Sequence, residues 1–357
     1  MKNEILTLTK KAIRIQSTAD NTAALEAVLS LFLDVFKNNP NVTIQTFRSN
    51  NLQSAIIFTK NKKPRIWLNA HLDVVTGNTS LFQPKIKKVK LFARGALDMK
   101  LAAACFTIIT EKLIRNGLNV GLILVTDEEI GGHNGTKFLL DNDFVAPEFV
   151  VVGEPTNLEI GTESKGIISI DIISHGISAH GSRPWLGKNA ILDMLEPLQQ
   201  LQRVFPVPSK ECWKTTVNVG VIQAGVAINQ VPDVCTIKLD IRFIPQDNPK
   251  KIINRIKTIF KHQDIVIKMI EPPIFSNNNN LFIQNFFTIA KHVLKRKPIF
   301  RKGHGSSDIR FFTQNNIPAI AFGLKGKGLH AESEWVSLKE IEIFVKIIKT
   351  FLIQNCI

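Results

Sequence analysis

The residues with chemistry to offer are acids and histidines, grouped beside apolar runs. His71-Leu72-Asp73 follows the run Arg65–Ala70. An imidazole that binds a cation through one nitrogen needs its other nitrogen held by an acceptor, and a carboxylate two residues on supplies one. Asp98, in Gly95-Ala96-Leu97-Asp98-Met99-Lys100, precedes a helical pattern. A carboxylate there either caps the helix N-terminus or points its two oxygens at two cations. Thr126-Asp127-Glu128-Glu129-Ile130-Gly131-Gly132 ends an apolar run with three consecutive acids. Like charges so close raise one another's pKa unless cations neutralise them, so one acid can ligate metal while its neighbour stays free as a base. The other reading of this segment is a solvated loop. Glu154-Pro155-Thr156 and His330-Ala331-Glu332 add further acids and a histidine after two more apolar segments. Oxygen and imidazole ligands of this kind suit zinc, manganese or cobalt. Neither an H-E-x-x-H zinc helix nor a G-x-S-x-G nucleophile turn occurs.

These groups need elements to place them. Arg65–Ala70, Val120–Thr126 and Phe149–Val152 read as buried strands, and a helix with Leu101, Cys105, Ile108 and Leu113 inside runs from near Asp98 to near Gly117. An earlier helix spans Thr18–Lys37, with Leu25, Val28, Leu29, Phe32 and Phe36 at helical spacing. Buried strands alternating with helices predict an α/β sheet covered on both faces, with ligands at the carboxyl ends of its strands.

The middle of the chain reads differently. Ile167–Ser174, Thr215–Ile222, Val234–Phe243 and Ile265–Met269 are strand-like. Asn189–Phe205 is expected to be a helix with Ile191, Leu195, Leu198 and Leu201 inward, and Ile252–Phe260 a second one. The order β-α-β-β-α-β is that of the ferredoxin-like split unit. The expected architecture is therefore an α/β catalytic domain, residues 1–165 and 275–357, with a mixed sheet flanked by helices. It is interrupted by a smaller α+β ferredoxin-like domain, residues 166–274. Helices at Leu281–Lys295 and Leu338–Gln354 and a short strand at Ala319–Phe322 complete the larger part; the run Asn277–Asn280 reads as a turn.

Composition narrows the classes. With 357 residues and 44% hydrophobic content the chain can bury a substantial core. No run of roughly 18 or more apolar residues occurs, so no membrane span is expected. The N-terminal stretch lacks the apolar region and small-residue cleavage site of a signal peptide, and a cytoplasmic location is expected. The net charge is +15, but the lysines are spread along the chain, which argues against nucleic acid as a partner. Cys105, Cys212, Cys235 and Cys356 form no C-x-x-C pair and are expected to be reduced thiols. There is no tyrosine, so no phenol can serve as an acid or an oxyanion donor.

The segments LNAHLDVV, ARGALDMK, TDEEIGG, VVGEPT, SAHGSRPW, GSSDIRFF and GLHAESEW, in this order, resemble the metallopeptidase and deacylase family that includes succinyl-diaminopimelate desuccinylase, acetylornithine deacetylase, aminoacylase and zinc glutamate carboxypeptidase. The resemblance runs from about His71 to Glu334. It implies that His71, Asp98 and Glu154 hold one metal ion, and that Asp98, Glu129 and His330 hold another. It further implies that Asp73 orients His71, and that Glu128 is the general base acting on the attacking water. His180 matches the histidine of the smaller domain that stabilises the oxyanion, supplied by the partner chain in dimeric members. Asn229, Arg242, Ser307 and Asp308 match positions that bind substrate or line the site. Thr162-Glu163-Ser164-Lys165-Gly166 departs from the arginine-rich stretch usual in desuccinylases.

The expected activity is hydrolysis of the amide bond of an N-acyl amino acid by water activated between two divalent ions, zinc first, with cobalt or manganese as alternatives. A carboxypeptidase or dipeptidase using the same site is the second reading; a silent scaffold and a basic nucleic-acid binder are more distant ones. The expected partners are a small N-acyl amino acid or short peptide and, by family analogy, a second copy of the chain.

Overall fold

In the computed structural model, which describes residues 1–356, the chain divides into two compact units. The larger comprises Met1–Thr162, Ser276–Arg301 and the chain from Ser307 onward; the smaller comprises Glu163–Phe275 and Lys302–Ser306. Among the described residues no helix is long and apolar enough to cross a membrane.

A mixed sheet runs through the larger unit. Among the described residues, seven of the sheet's nine strands lie in the order Val42–Ser49, Leu52–Thr59, Gly121–Val125, Ile66–His71, Phe149–Val152, Ala319–Ala321 and Ile160–Ser164. The four from Gly121–Val125 to Ala319–Ala321 are parallel, and antiparallel strands flank them. Ile66–His71, Gly121–Val125 and Phe149–Val152 are buried along their whole length, which is why they read as continuous apolar runs rather than alternating ones. Ile66, Leu68 and Ala70 join one core cluster with residues of the helices Lys2–Arg14, Thr22–Leu33, Leu101–Arg115, Leu281–Leu294 and Ile341–Asn355.

Three features of this unit differ from the sequence expectation or lie outside it. Lys2–Arg14 is a helix whose Ile5, Leu8, Ala12 and Ile13 are buried. Its last carbonyls are met by the buried Lys100, whose Nζ donates to Ala12 O and Ile15 O at 3.0 Å each. Val42–Ser49 and Leu52–Thr59 form a hairpin through Asn50-Asn51, both in the left-handed region that such two-residue turns require. The helix expected to start near Asp98 begins at Leu101. Asp98 (φ −117°, ψ 95°) lies in an irregular turn over Ala96–Lys100, caps no helix, and precedes a cis peptide bond.

A small antiparallel sheet orders Gly326–Lys327, Trp335–Ser337, Lys90–Phe92 and Lys85–Lys87. The loop between its first two strands holds His330, and the chain after Lys90–Phe92 leads into the turn of Asp98. The sheet thereby sets these two loops side by side.

The smaller unit is a four-stranded antiparallel sheet in the order Thr216–Ala224, Val234–Phe243, Gly166–His175, Asp264–Glu271, with helices Ala190–Val204 and Pro249–Ile259. This is the ferredoxin-like arrangement. Val234–Phe243 buries Cys235, Ile237, Leu239, Ile241 and Phe243 on one face, the alternation its sequence announces. The helix stripe differs from expectation. Ala190, Met194 and Leu201 are buried, whereas Ile191 and Leu195 are 37% and 49% exposed. Two neighbouring stripes of this helix are apolar, so periodicity alone does not choose between them; the one that starts on the small Ala190 packs on the sheet.

Candidate metal centre

The parallel strands deliver His71, Asp127, Glu128, Glu129 and Glu154 to one end of the sheet, and the loops of the small antiparallel sheet add Asp98 and His330. His71 closes its strand, and Asp127, Glu128 and Glu129 follow the neighbouring Gly121–Val125. Val152 lies opposite Asn69, so Glu154, two residues on, comes level with His71. His71, Asp98 and Glu154 place one ligand atom each within 4.8 Å of one another, and so do Asp98, Glu129 and His330. Asp98 belongs to both groups through different oxygens. Oδ1 is 3.1 Å from His71 Nε2, and Oδ2 is 3.2 Å from His330 Nε2, which also lies 3.3 Å from Glu129 Oε2.

Behind these atoms the ligand side chains are held in turn. His71 Nδ1 is 3.1 Å from the main-chain oxygen of Asp73 and 3.5 Å from its Oδ1, while Asp73 Oδ2 accepts the N–H of Glu129 at 2.8 Å. Asp73 thus connects His71 to the acidic loop. Asp127 does not join Glu129 at the centre: its Oδ2 accepts the N–H groups of Asn134 and Gly135 at 2.7 and 3.0 Å, closing the loop after Glu129.

The charges do not balance within the protein alone. Burial, then the charge of Glu154, pushes Glu128 well above the usual carboxylate range. Burial and the Asp98 charge, against the pull of His71, raise Glu129 to about 7 and Glu154 to about 8. Burial works in the same direction on Asp98, but hydrogen bonds from His330 and His71 hold it well below the ordinary value. His71 is carried well above its usual value by Asp73 and Asp98 in spite of its burial. Asp73 Oδ1 and Glu154 Oε1 are buried without a hydrogen-bond partner. Converging, partly orphaned carboxylates and imidazoles are the donor set of divalent cations, which would relieve this repulsion.

The other residues singled out in the sequence lie as follows. Ser307 and Asp308 belong to the larger unit and are buried; Asp308 Oδ2 accepts the Thr136 hydroxyl at 2.5 Å, and the Ser307 hydroxyl accepts the Ile309 N–H at 3.4 Å. His180, Asn229 and Arg242 belong to the smaller unit. There His180 pairs with Gln230 across two short strands, and Gly181 N–H donates to Asn229 O at 2.6 Å, so the SAHG and INQ segments meet. His180 is exposed, with Nδ1 2.8 Å from the Ser182 hydroxyl. Arg242 is half-buried and paired with Asp240 at 3.0 Å. Two residues passed over in the sequence, Arg94 and Glu334, form a buried ion pair at 2.9 Å that touches both the Asp98 turn and the His330 loop. Both stand inside motif segments, but nothing local marks them as partners.

The model of peptidase family M20/M25/M40 matches residues 67–354. A succinyl-diaminopimelate desuccinylase of Rickettsia bellii is 26% identical, covering 98% of this chain and 96% of its own. One of Pelagibacter ubique is 30% identical, covering 82% and 83%. Among solved structures, an M20 family metallo-carboxypeptidase from Sulfolobus solfataricus superposes with a TM-score of 0.79 at 18% identity, covering 98% of both chains. With its fold and nearly all of its length accounted for in this way, the chain belongs to peptidase family M20/M25/M40 and is a metal-dependent hydrolase acting on amide bonds.

Proposed function

We propose that the protein is a two-metal deacylase that cleaves the amide bond of an N-acyl amino acid. The observation that carries the reading is the divergence of the two Asp98 oxygens toward His71 and His330, each of which stands with a further acid. In this assignment His71, Asp98 and Glu154 hold one ion, and Asp98, Glu129 and His330 hold the second. Zinc suits this mixed oxygen and imidazole set, with cobalt or manganese as substitutes. When bound, the pair of ions supplies Lewis acidity, polarising the scissile carbonyl and acidifying the attacking water.

The chain's own residues do the rest. Glu128 takes the proton from the water as it attacks and passes it to the departing amine, so the C–N bond breaks with a neutral leaving group. Asp73 fixes the ring of His71 through Nδ1, leaving Nε2 to face Asp98. By the family resemblance, His180 donates to the oxyanion, Asn229 and Arg242 bind the substrate carboxylate, and Ser307 and Asp308 shape the substrate side. A guanidinium fork is suited to a carboxylate, and the alternation of its strand already sets Arg242 on the polar face.

The names borne by the sequence relatives support deacylation over peptide cleavage; the likeness to solved peptidases bears on the fold. The test is amine release from N-acetyl and N-succinyl amino acids and from dipeptides, with zinc or cobalt added. Release from the N-acyl set, lost by about 10²–10⁴-fold in Glu128→Gln with metal content unchanged, is the expected result. Release from dipeptides alone would replace the deacylase reading by the peptidase one. Full activity in Glu128→Gln with metal bound would overturn the mechanism.

A further inference from the structure

We infer that Arg94 and Glu334 form a positioning clamp, which fixes the backbone of the two loops that carry Asp98 and His330 and thereby sets the cation affinity of the Asp98–Glu129–His330 group. The inference rests on the metal-centre reading above.

Glu334 is 2% and Arg94 4% exposed. Glu334 Oε1 accepts the N–H groups of Leu97 at 2.8 Å and Asp98 at 3.3 Å. Oε2 accepts from Gly95 N–H at 3.1 Å and from Arg94 Nη1 at 2.9 Å. Arg94 continues into the other loop: Nη2 donates to His330 O at 3.0 Å and Nη1 to Ala331 O at 3.3 Å. One carboxylate gathers three amides of the Asp98 turn, and one guanidinium holds two carbonyls of the His330 loop. Apart from the pair's own contact, every one of these bonds goes to backbone. The pair therefore fixes the path of the chain, and through it where each ligand side chain starts.

Both loops need such holding. Gly95 has φ 75°, and Asp98 departs from helical geometry within its turn. His330 itself has φ 60°, a left-handed conformation that a residue with a side chain adopts only when its surroundings impose it. A buried ion pair is a weak source of stability, because desolvating the two charges offsets most of their attraction. Its contacts here point to geometry as its use. Only a planar fork reaches Glu334 and both carbonyls at once; a lysine ammonium on the same stem presents a single point.

Full-length protein, stripped of metal and titrated with cobalt(II), tests this by calorimetry and visible absorption. Wild type is expected to take up two ions, and the step lost in His330→Ala identifies the group in question. Arg94→Lys keeps the charge and loses the fork; Glu334→Gln keeps the shape and loses the charge. In both, that step is expected to weaken by about 10–100-fold with an altered cobalt absorption band. The His71–Asp98–Glu154 step should change less, and the metal-free variants should still melt cooperatively. Wild-type affinities and spectra in both variants would overturn the clamp while leaving the two-metal reading intact. Equal loss of both steps together with cooperative melting would mark the pair as a general fold determinant and overturn it too. If Glu334→Gln does not fold, Arg94→Lys decides by the same criteria. A wild type that takes up no cobalt would instead overturn the two-metal reading and the clamp with it.

Discussion

The two units carry their candidate site residues differently. In the larger, His71 is 2% and Asp98 7% exposed, with a fixed neighbour for each polar atom; His330 is exposed, but its Nε2 is fixed 3.2 Å from Asp98 Oδ2 and 3.3 Å from Glu129 Oε2. In the smaller, His180 is exposed and held by one serine, and Arg242 is half-buried against a single aspartate. The difference follows from what each set must do. Carboxylates gathered for a cation repel one another until it arrives, so their scaffold must be assembled beforehand. Groups that meet a substrate must be reachable, and they acquire their final partners from the substrate itself. Preassembly in one unit and accessibility in the other match the chemistry proposed for each.

The sharpest way to break this comparison is Asp98→Asn. The amide keeps the shape but not the charge, and it can no longer offer an anionic oxygen to both groups. We expect loss of both cations by elemental analysis and a fall in activity exceeding the roughly 10²–10⁴-fold attributed to a general base. Retention of one tightly held ion would show that the two groups are separable and that Asp98 is no bridge. Next in size is His180→Ala. Removing one donor to an oxyanion lowers kcat by about 10²–10³-fold. Because His180 is exposed, metal content should stay at the wild-type value and stability should move by no more than about 0.5 kcal/mol. Reduced metal uptake in this variant would erase the distinction between preassembled and accessible residues.

How much of this was legible depended on whether the signal was local. Val234–Phe243 is readable because one face is buried and the other not, so the residue types alternate with period two. His71, Glu129 and Glu154 are readable because each ends or follows an apolar run, the place where parallel strands deliver side chains, whereas Asp98 and His330 stand in loops off the small antiparallel sheet. The helix Lys2–Arg14 was hidden by its many charges, although Ile5, Leu8, Ala12 and Ile13 form a stripe. The hairpin was hidden because Val42–Ser49 buries no residue fully and mixes Val42, Ile44 and Phe47 with polar side chains, which leaves no clean apolar face. In Ala190–Val204, two adjacent apolar stripes made the inward face ambiguous. Arg94 and Glu334 lie 240 residues apart, and their partners are backbone atoms, which leave no trace in residue types. Asp127 was visible as one of three acids, but its use in closing a loop, rather than facing the centre, is set by Gly135, whose missing Cβ admits Asp127 Oδ1.

The smallest predicted effect sharpens the comparison from the side of the accessible unit. The helix Ala190–Val204 starts at Asn189, whose side-chain oxygen accepts the N–H groups of Ile191 at 2.9 Å and Leu192 at 3.3 Å. These amides have no partner within the helix, and Asn189→Ala leaves them to water, at a cost of about 1 kcal/mol. The helix packs Met194 and Leu201 on the sheet of the smaller unit and lies in the core of that unit alone. Denaturant unfolding of the metal-free protein should therefore register the loss in the transition of the smaller unit, while cobalt uptake by the larger one stays unchanged. If cobalt affinity fell in step with the stability of this helix, the cation site would depend on the fold of the smaller unit, and preassembly within the larger unit would no longer account for it.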